Sequence, residues 1–185
     1  DAVVKSFDVK TIIMPKVQAN TKTFEDLIDA IQSKNLKVTT PVPGKDYTLG
    51  DSKFTILAPN NTSYDDTNDY SVVIKLVFGN TSFLFTGDAE AVSENEMLRE
   101  EYDLKADVLK IGHHGSNSST TSKFLTAVSP KYAVISVGKE NTYGHPAEEI
   151  MNRLKQARIP VYRTDENGTI ICTSDGKNIK FNVDP

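Results

Sequence analysis

Two hydrophobic periods divide this chain. Phe24, Leu27, Ile28 and Ile31 recur at the i, i+3, i+4, i+7 spacing of one buried helix face, and Thr23 with Asp26 reads as a capping-box-like start before Asn35 stops the helix. Ahead of it, the apolar run 10–14, ended by Pro15, predicts a strand, and 17–22 a polar connector. Short extended pieces at 37–39 and 53–57 flank the punctuation at Pro41 and Gly44, and 59–69 reads as a loop rich in Asn, Thr and Asp. The runs 70–78 and 82–86 are β-branched and aromatic, and both residues of the intervening Gly79-Asn80 tolerate positive φ, so an antiparallel hairpin is predicted.

From there strands and helices alternate. A helix from about Ser93 to Glu101, a strand 108–111, a helix within 121–128, a strand 132–137, a helix 147–157 and a strand 160–163 follow one another, which predicts α/β layering. The tail returns to strand at 169–173 and 179–183, around the turn signal Asp175-Gly176. No repeat or low-complexity linker interrupts the series, so residues 1–185 are expected to form a single domain.

Composition narrows the function classes. With 185 residues, 38% hydrophobic and 25% charged, the chain can fill one core. A net charge of −4 argues against a general DNA-coating role, while leaving room for a local basic or metal-lined groove. The lone Cys172 excludes an internal disulfide and a thiolate zinc knuckle. Apolar runs such as 132–137 fall far short of the roughly 20 residues that cross a bilayer, and no signal-peptide pattern occurs. Imidazole chemistry must draw on His113, His114 and His145, because there are no others.

Three segments concentrate chemistry. In Thr86-Gly87-Asp88-Ala89-Glu90 an apolar strand delivers Asp88 at its C-terminal end, where α/β layers place their sites. Asp88 could instead cap the next helix, but Ser93 and Glu96 form a better capping box five residues later. In Gly112-His113-His114-Gly115-Ser116, strand alternation would admit only one imidazole to a site, and the flanking glycines relax that limit by letting the backbone turn. In Tyr143-Gly144-His145-Pro146, Pro146 fits the first helical position, and a helix N-terminus beside His145 would keep its ring neutral. The Ser/Thr tract 116–122 lacks the P-loop pattern, and no Gly-x-Ser-x-Gly elbow supports a serine hydrolase.

Together, the segment from Phe83 to Glu90, 108–116 and 136–146 resemble, in order and spacing, the metallo-β-lactamase-fold hydrolases of the ComEC type, the domain associated with bacterial competence DNA-uptake proteins and their stand-alone relatives. The resemblance runs over most of the chain. It implies an αββα sandwich of mixed sheets flanked by helices, of which this chain is the C-terminal portion. It also implies that Asp88 bridges two metal ions, zinc or manganese, and that His113 or His114 is the late metal-binding histidine. Taking His113 as the ligand leaves His114 and His145 as catalytic or substrate-facing residues. A metal-held hydroxide would attack a phosphodiester, with single-stranded DNA the expected partner and the cell envelope the expected location.

One departure changes the expectation. The family's His-x-(His or Asp)-x-Asp-His cluster is absent, and Asn68-Asp69-Tyr70-Ser71 stands where many superfamily members carry another histidine. Two metals need about six donor contacts, which Asp88 and one histidine do not supply. The chain, starting at Asp1 rather than Met, is therefore expected to be a truncated portion with little or no catalysis, and to pair with a second copy through an uncovered sheet edge. The competing expectations are a non-catalytic module that binds nucleic acid or a partner chain, and a hydrolase of a different ester on the same fold.

Overall fold

The computed structural model describes residues 1–185, which form two compact units, Asp1–Pro41 and Val42–Pro185. The first contains α1 (Ala2–Ser6), β1 (Ile12–Ile13), α2 (Lys22–Ser33) and β2 (Val38–Thr39), with β1 and β2 parallel. Val4, Ala30 and Ile31 form its small core, packed by Ile12, Leu27 and Leu36. The helix begins earlier than Thr23. Thr21, in extended backbone, caps it by accepting from the Phe24 amide at 3.2 Å, and the two added residues let Lys22 pair with Asp26 at 2.9 Å. Asn35, at φ +52°, ends it.

In the second unit a seven-stranded mixed sheet runs in chain order: β3 (Asp46–Leu49), β4 (Ser52–Ala58), β5 (Val73–Phe78), β6 (Thr81–Phe85), β7 (Val108–Lys110), β8 (Tyr132–Ile135) and β9 (Val161–Arg163). The first four are antiparallel, joined through Gly50 and through the expected Gly79-Asn80 turn. The rest add in parallel, each reached through a helix: α3 (Ala91–Arg99), α4 (Ser122–Val128) and α5 (Glu148–Gln156). A short helix, α6 (Thr164–Asn167), leads to the hairpin of β10 (Cys172–Ser174) and β11 (Ile179–Phe181). This is the mixed α/β class that the sequence predicts.

Register decides which face is the core. Leu84, Leu109 and Ala133 lie side by side across β6, β7 and β8, and with Val73, Ile111 and Ile135 they pack against Met97 of α3, Phe124, Leu125 and Val128 of α4, and Ile150 and Leu154 of α5. The alternate residues Leu76, Phe78, Phe83, Phe85, Lys110 and Val134 face the other way. They line an open groove of about 410 Å³ that Ile170, Cys172 and Ser174 border, while Phe181 stacks on Tyr162 at 3.9 Å. Helices thus cover one face, and the C-terminal hairpin covers part of the other.

Candidate metal centre and its supporting shell

Parallel β6, β7 and β8 deliver their following loops, 86–90, 111–121 and 136–147, at the same end of the sheet, where α/β proteins place sites. Glycine is what lets the loops touch. A Cβ on Gly112 would lie 2.9 Å from the Ala89 carbonyl oxygen, and one on Gly115 would lie 2.7 Å from Pro146 Cβ. The His113 amide donates to the Gly87 carbonyl (3.2 Å), the Ala91 amide to that of Ser118 (2.9 Å) and the Ala147 amide to that of Gly115 (2.8 Å), so each loop is tied to its neighbour.

Strand alternation does not govern the histidine pair, because the backbone turns through it. His113 (φ +44°), His114 (φ +54°) and Gly115 (φ +84°) are successive left-handed residues, a conformation that costs about 1–3 kcal/mol at each side-chain-bearing position and persists where the surroundings enforce it. Both rings therefore enter the site. His114 Nδ1 lies 2.5 Å from the Ser136 carbonyl, which can only accept, so Nδ1 donates and, in the neutral ring, Nε2 is the nitrogen with the lone pair. That Nε2 is 3.7 Å from Asp88 Oδ1. His113 Nδ1 is instead 2.7 Å from Glu90 Oε1, a carboxylate that Asn68 Nδ2 also reaches at 3.3 Å.

The third histidine completes the cluster. Its ring centroid is 5.7 Å from that of His113, which is 6.3 Å from that of His114. The Asn141 side chain clamps its backbone, donating to the His145 carbonyl at 2.7 Å and accepting from the His145 amide at 3.0 Å. Burial, helped by the other two imidazoles, holds the His145 pKa below the usual histidine value. The sequence points to the helix end as the cause, but α5 starts at Glu148 with Ala147 as its N-cap, so Pro146 precedes the helix rather than opening it. His145 Nδ1 is buried without a hydrogen-bond partner.

Four functional residues had no role in the sequence reading. Glu90 holds His113. Lys110 Nζ donates to the Gly87 carbonyl at 2.8 Å and lies 3.9 Å from Asp88 Oδ1; burial lowers its pKa against the opposing pull of Asp88. Asp69, 3% exposed, accepts from the Glu90 and Ser93 amides, both at 3.2 Å, and so caps α3 from another element. The Ser93–Glu96 capping box does not form: Ser93 Oγ is unpartnered, and Glu96 accepts from the Tyr64 hydroxyl instead. Glu94, 1% exposed, accepts from the amides of Thr120 and Thr121 at the start of α4. Burial raises the pKa of both carboxylates. Glu90 stood within the 86–90 motif, but nothing local distinguishes Asp69 among the acidic residues of its loop.

Asp88, His113, His114 and His145 are thus brought to one place, yet no three His, Cys, Asp or Glu side chains of the chain converge as a metal-binding group. The residues present do not make a complete metal centre by themselves.

Comparison with known proteins places this geometry. The sequence profile of the metallo-beta-lactamase superfamily matches residues 1–139. The chain belongs to this superfamily. Within it, this metallo-beta-lactamase chain is 34% identical over all 185 residues to ComE operon protein 3 of Bacillus subtilis, of which it covers 24%. It is 42% identical over 119 residues, 63% of the chain, to competence protein ComA of Neisseria gonorrhoeae, covering 17% of that protein. Recombination protein 2 of Haemophilus influenzae is 38% identical over 127 residues, 69% of the chain and 16% of that protein. The chain spans a quarter or less of the length of each of these relatives. Among solved structures, CmlA, a diiron beta-hydroxylase from Streptomyces venezuelae, matches 83% of this chain and 38% of its own with a TM-score of 0.55 at 12% identity, a likeness of fold. No helix here is long and apolar enough to cross a membrane.

Proposed function

We propose that this chain is the later part of a metal-dependent hydrolase domain of the ComEC-like branch that acts on a phosphodiester, a single DNA strand, and that the chain alone is inactive or weakly active. The observation that carries the reading is the meeting of Asp88 and His114 at 3.7 Å, at the ends of adjacent parallel strands, with the imidazole nitrogen that Ser136 does not hold facing the carboxylate. In this reading Asp88 and an imidazole of the His113–His114 pair are donors to zinc or manganese, His114 being the ring whose free nitrogen meets Asp88. The remaining donors of a two-metal centre come from elsewhere in a longer polypeptide. His145 and the other imidazole face the substrate phosphate, and the complete protein works at the cell envelope.

Metal analysis and cleavage of a labelled single-stranded oligonucleotide, run on this chain and on a longer polypeptide containing it, test the reading. We expect two metals and turnover only in the longer protein, both lost with Asp88→Ala. Cleavage of lactone or phosphocholine esters, with DNA untouched, would move the substrate to another ester. The absence of a three-donor group favours a second reading, a nucleic-acid-binding or partner-binding module, for which binding would survive both chelator and Asp88→Ala and the longer polypeptide would cleave no ester at all. The proposal extends to self-association through an open sheet edge, β3 or β9; a strictly monomeric species by light scattering at high concentration would retire that part.

A further inference from the structure

We infer that Tyr143 is a stacking platform for an unpaired nucleobase beside the histidine cluster, so that the site selects single strands over duplex; the inference rests on the phosphodiester reading above. Tyr143 is 81% exposed, far beyond what a tyrosine needs for packing. Its ring lies nearly parallel to that of His145, with centroids 5.9 Å apart and planes 17° from each other. His145 in turn meets His113 at 5.7 Å, so Tyr143 is the outer end of a run of rings that leads to the candidate centre.

The loop is built to present that ring. Asn141 closes the turn by donating to the carbonyls of Gly138 (3.1 Å) and His145 (2.7 Å) while accepting from the His145 amide (3.0 Å), so the tyrosine sits on a braced apex. Ordering costs little on binding when the platform is already held. Apart from His145 on one side the ring is open, as its 81% exposure shows, and the loop around it is uncrowded: a Cβ on Gly138 or on Gly144 would meet no atom within 4 Å. The neighbours Lys139, Glu140, Asn141 and Thr142 are all polar, so a lone aromatic among them suits a flat ring with polar edges better than an aliphatic side chain. A base offers such a ring whatever its sequence, but only when it is out of a duplex.

Fluorescence anisotropy of a short labelled oligothymidylate with the 185-residue chain, in chelator, tests this without involving any metal. Tyr143→Ala is expected to weaken binding about 5- to 150-fold, the range for losing one base–aromatic stack. Tyr143→Phe should stay within about twofold of wild type, because the π-face and not the hydroxyl carries the contact. An abasic strand of the same length should bind wild type and Tyr143→Ala alike. An unchanged melting temperature for Tyr143→Ala would show that the fold is intact. Wild-type affinity in Tyr143→Ala, an equal loss on duplex or abasic DNA, or no saturable binding of the strand would overturn the inference. A longer polypeptide that cleaves no phosphodiester would instead sink the hydrolase reading, even if Tyr143→Ala still weakened strand binding.

Discussion

Glu94→Ala should destabilise the chain more than a typical surface substitution, by an amount that can be worked from its contacts. The carboxylate is 1% exposed and takes the amides of Thr120 and Thr121, at the point where the loop after His113 and His114 becomes α4. Arg153, from α5, donates to the Thr120 carbonyl, so a third element is tied to the same junction. The buried Thr120 amide and the half-buried Thr121 amide, left without their acceptor, cost about 1–3 kcal/mol each, nearer the lower end for Thr121, and the lost side-chain volume adds to this. A total near 3–5 kcal/mol follows; at about 2–4 °C per kcal/mol for a chain of this size, the melting temperature falls by about 6–20 °C. Glu94→Gln keeps one acceptor oxygen but turns an NH2 toward the other amide, so about half the loss is expected. Urea denaturation followed by circular dichroism, with calorimetry alongside, measures both. A loss below about 1 kcal/mol for Glu94→Ala would refute the claim that this carboxylate braces the site from beneath.

Gly115→Ala should cost more than Gly144→Ala, because both residues have positive φ but only Gly115 would drive a Cβ into Pro146, at 2.7 Å; equal melting temperatures would contradict the tight contact of the two loops. Long-range ¹⁵N–¹H correlation should find His114 protonated at Nδ1 and bare at Nε2, since Ser136 offers only an acceptor, and the opposite tautomer would undo the orientation toward Asp88. The Asp175 carboxyl, held by the amides of Lys177 and Asn178, should titrate at about 2 instead of 3.8. Its folded pKa is depressed, so its support for the β10–β11 turn is present above the unfolded value and lost as pH falls through the folded one; an unshifted NMR titration would show that the turn does not hold it.

How much was legible in the sequence follows from which interactions are local. The Gly79-Asn80 hairpin, the alternation of strands and helices and the Asp175-Gly176 turn are written in short-range periodicity and turn chemistry, and they fold as read. β3 was missed because Asp46–Leu49 is a four-residue edge strand with one half-buried residue, too short for the alternation of Tyr47 and Leu49 with polar neighbours to announce it. The start of α3 was misjudged because its cap is tertiary. The amides at the start of α3 are satisfied by Asp69, more than twenty residues earlier, and a local box at Ser93 cannot reveal that. The four candidate residues Asp88, His113, His114 and His145 do assemble, because strand ends of a parallel sheet are neighbours whatever the sequence distance. The sequence could not tell which imidazole faces Asp88, since that depends on two left-handed histidines in succession, a conformation no period encodes.

The central claim is that these residues are part of a metal centre finished by donors outside this chain. Its most direct test is the zinc and manganese content of the purified 185-residue chain, measured by mass spectrometry together with its turnover of single-stranded DNA. Substoichiometric metal and no turnover are expected, with both restored in a longer polypeptide that includes the chain. Two tightly held metals and robust cleavage by the 185 residues alone would contradict it.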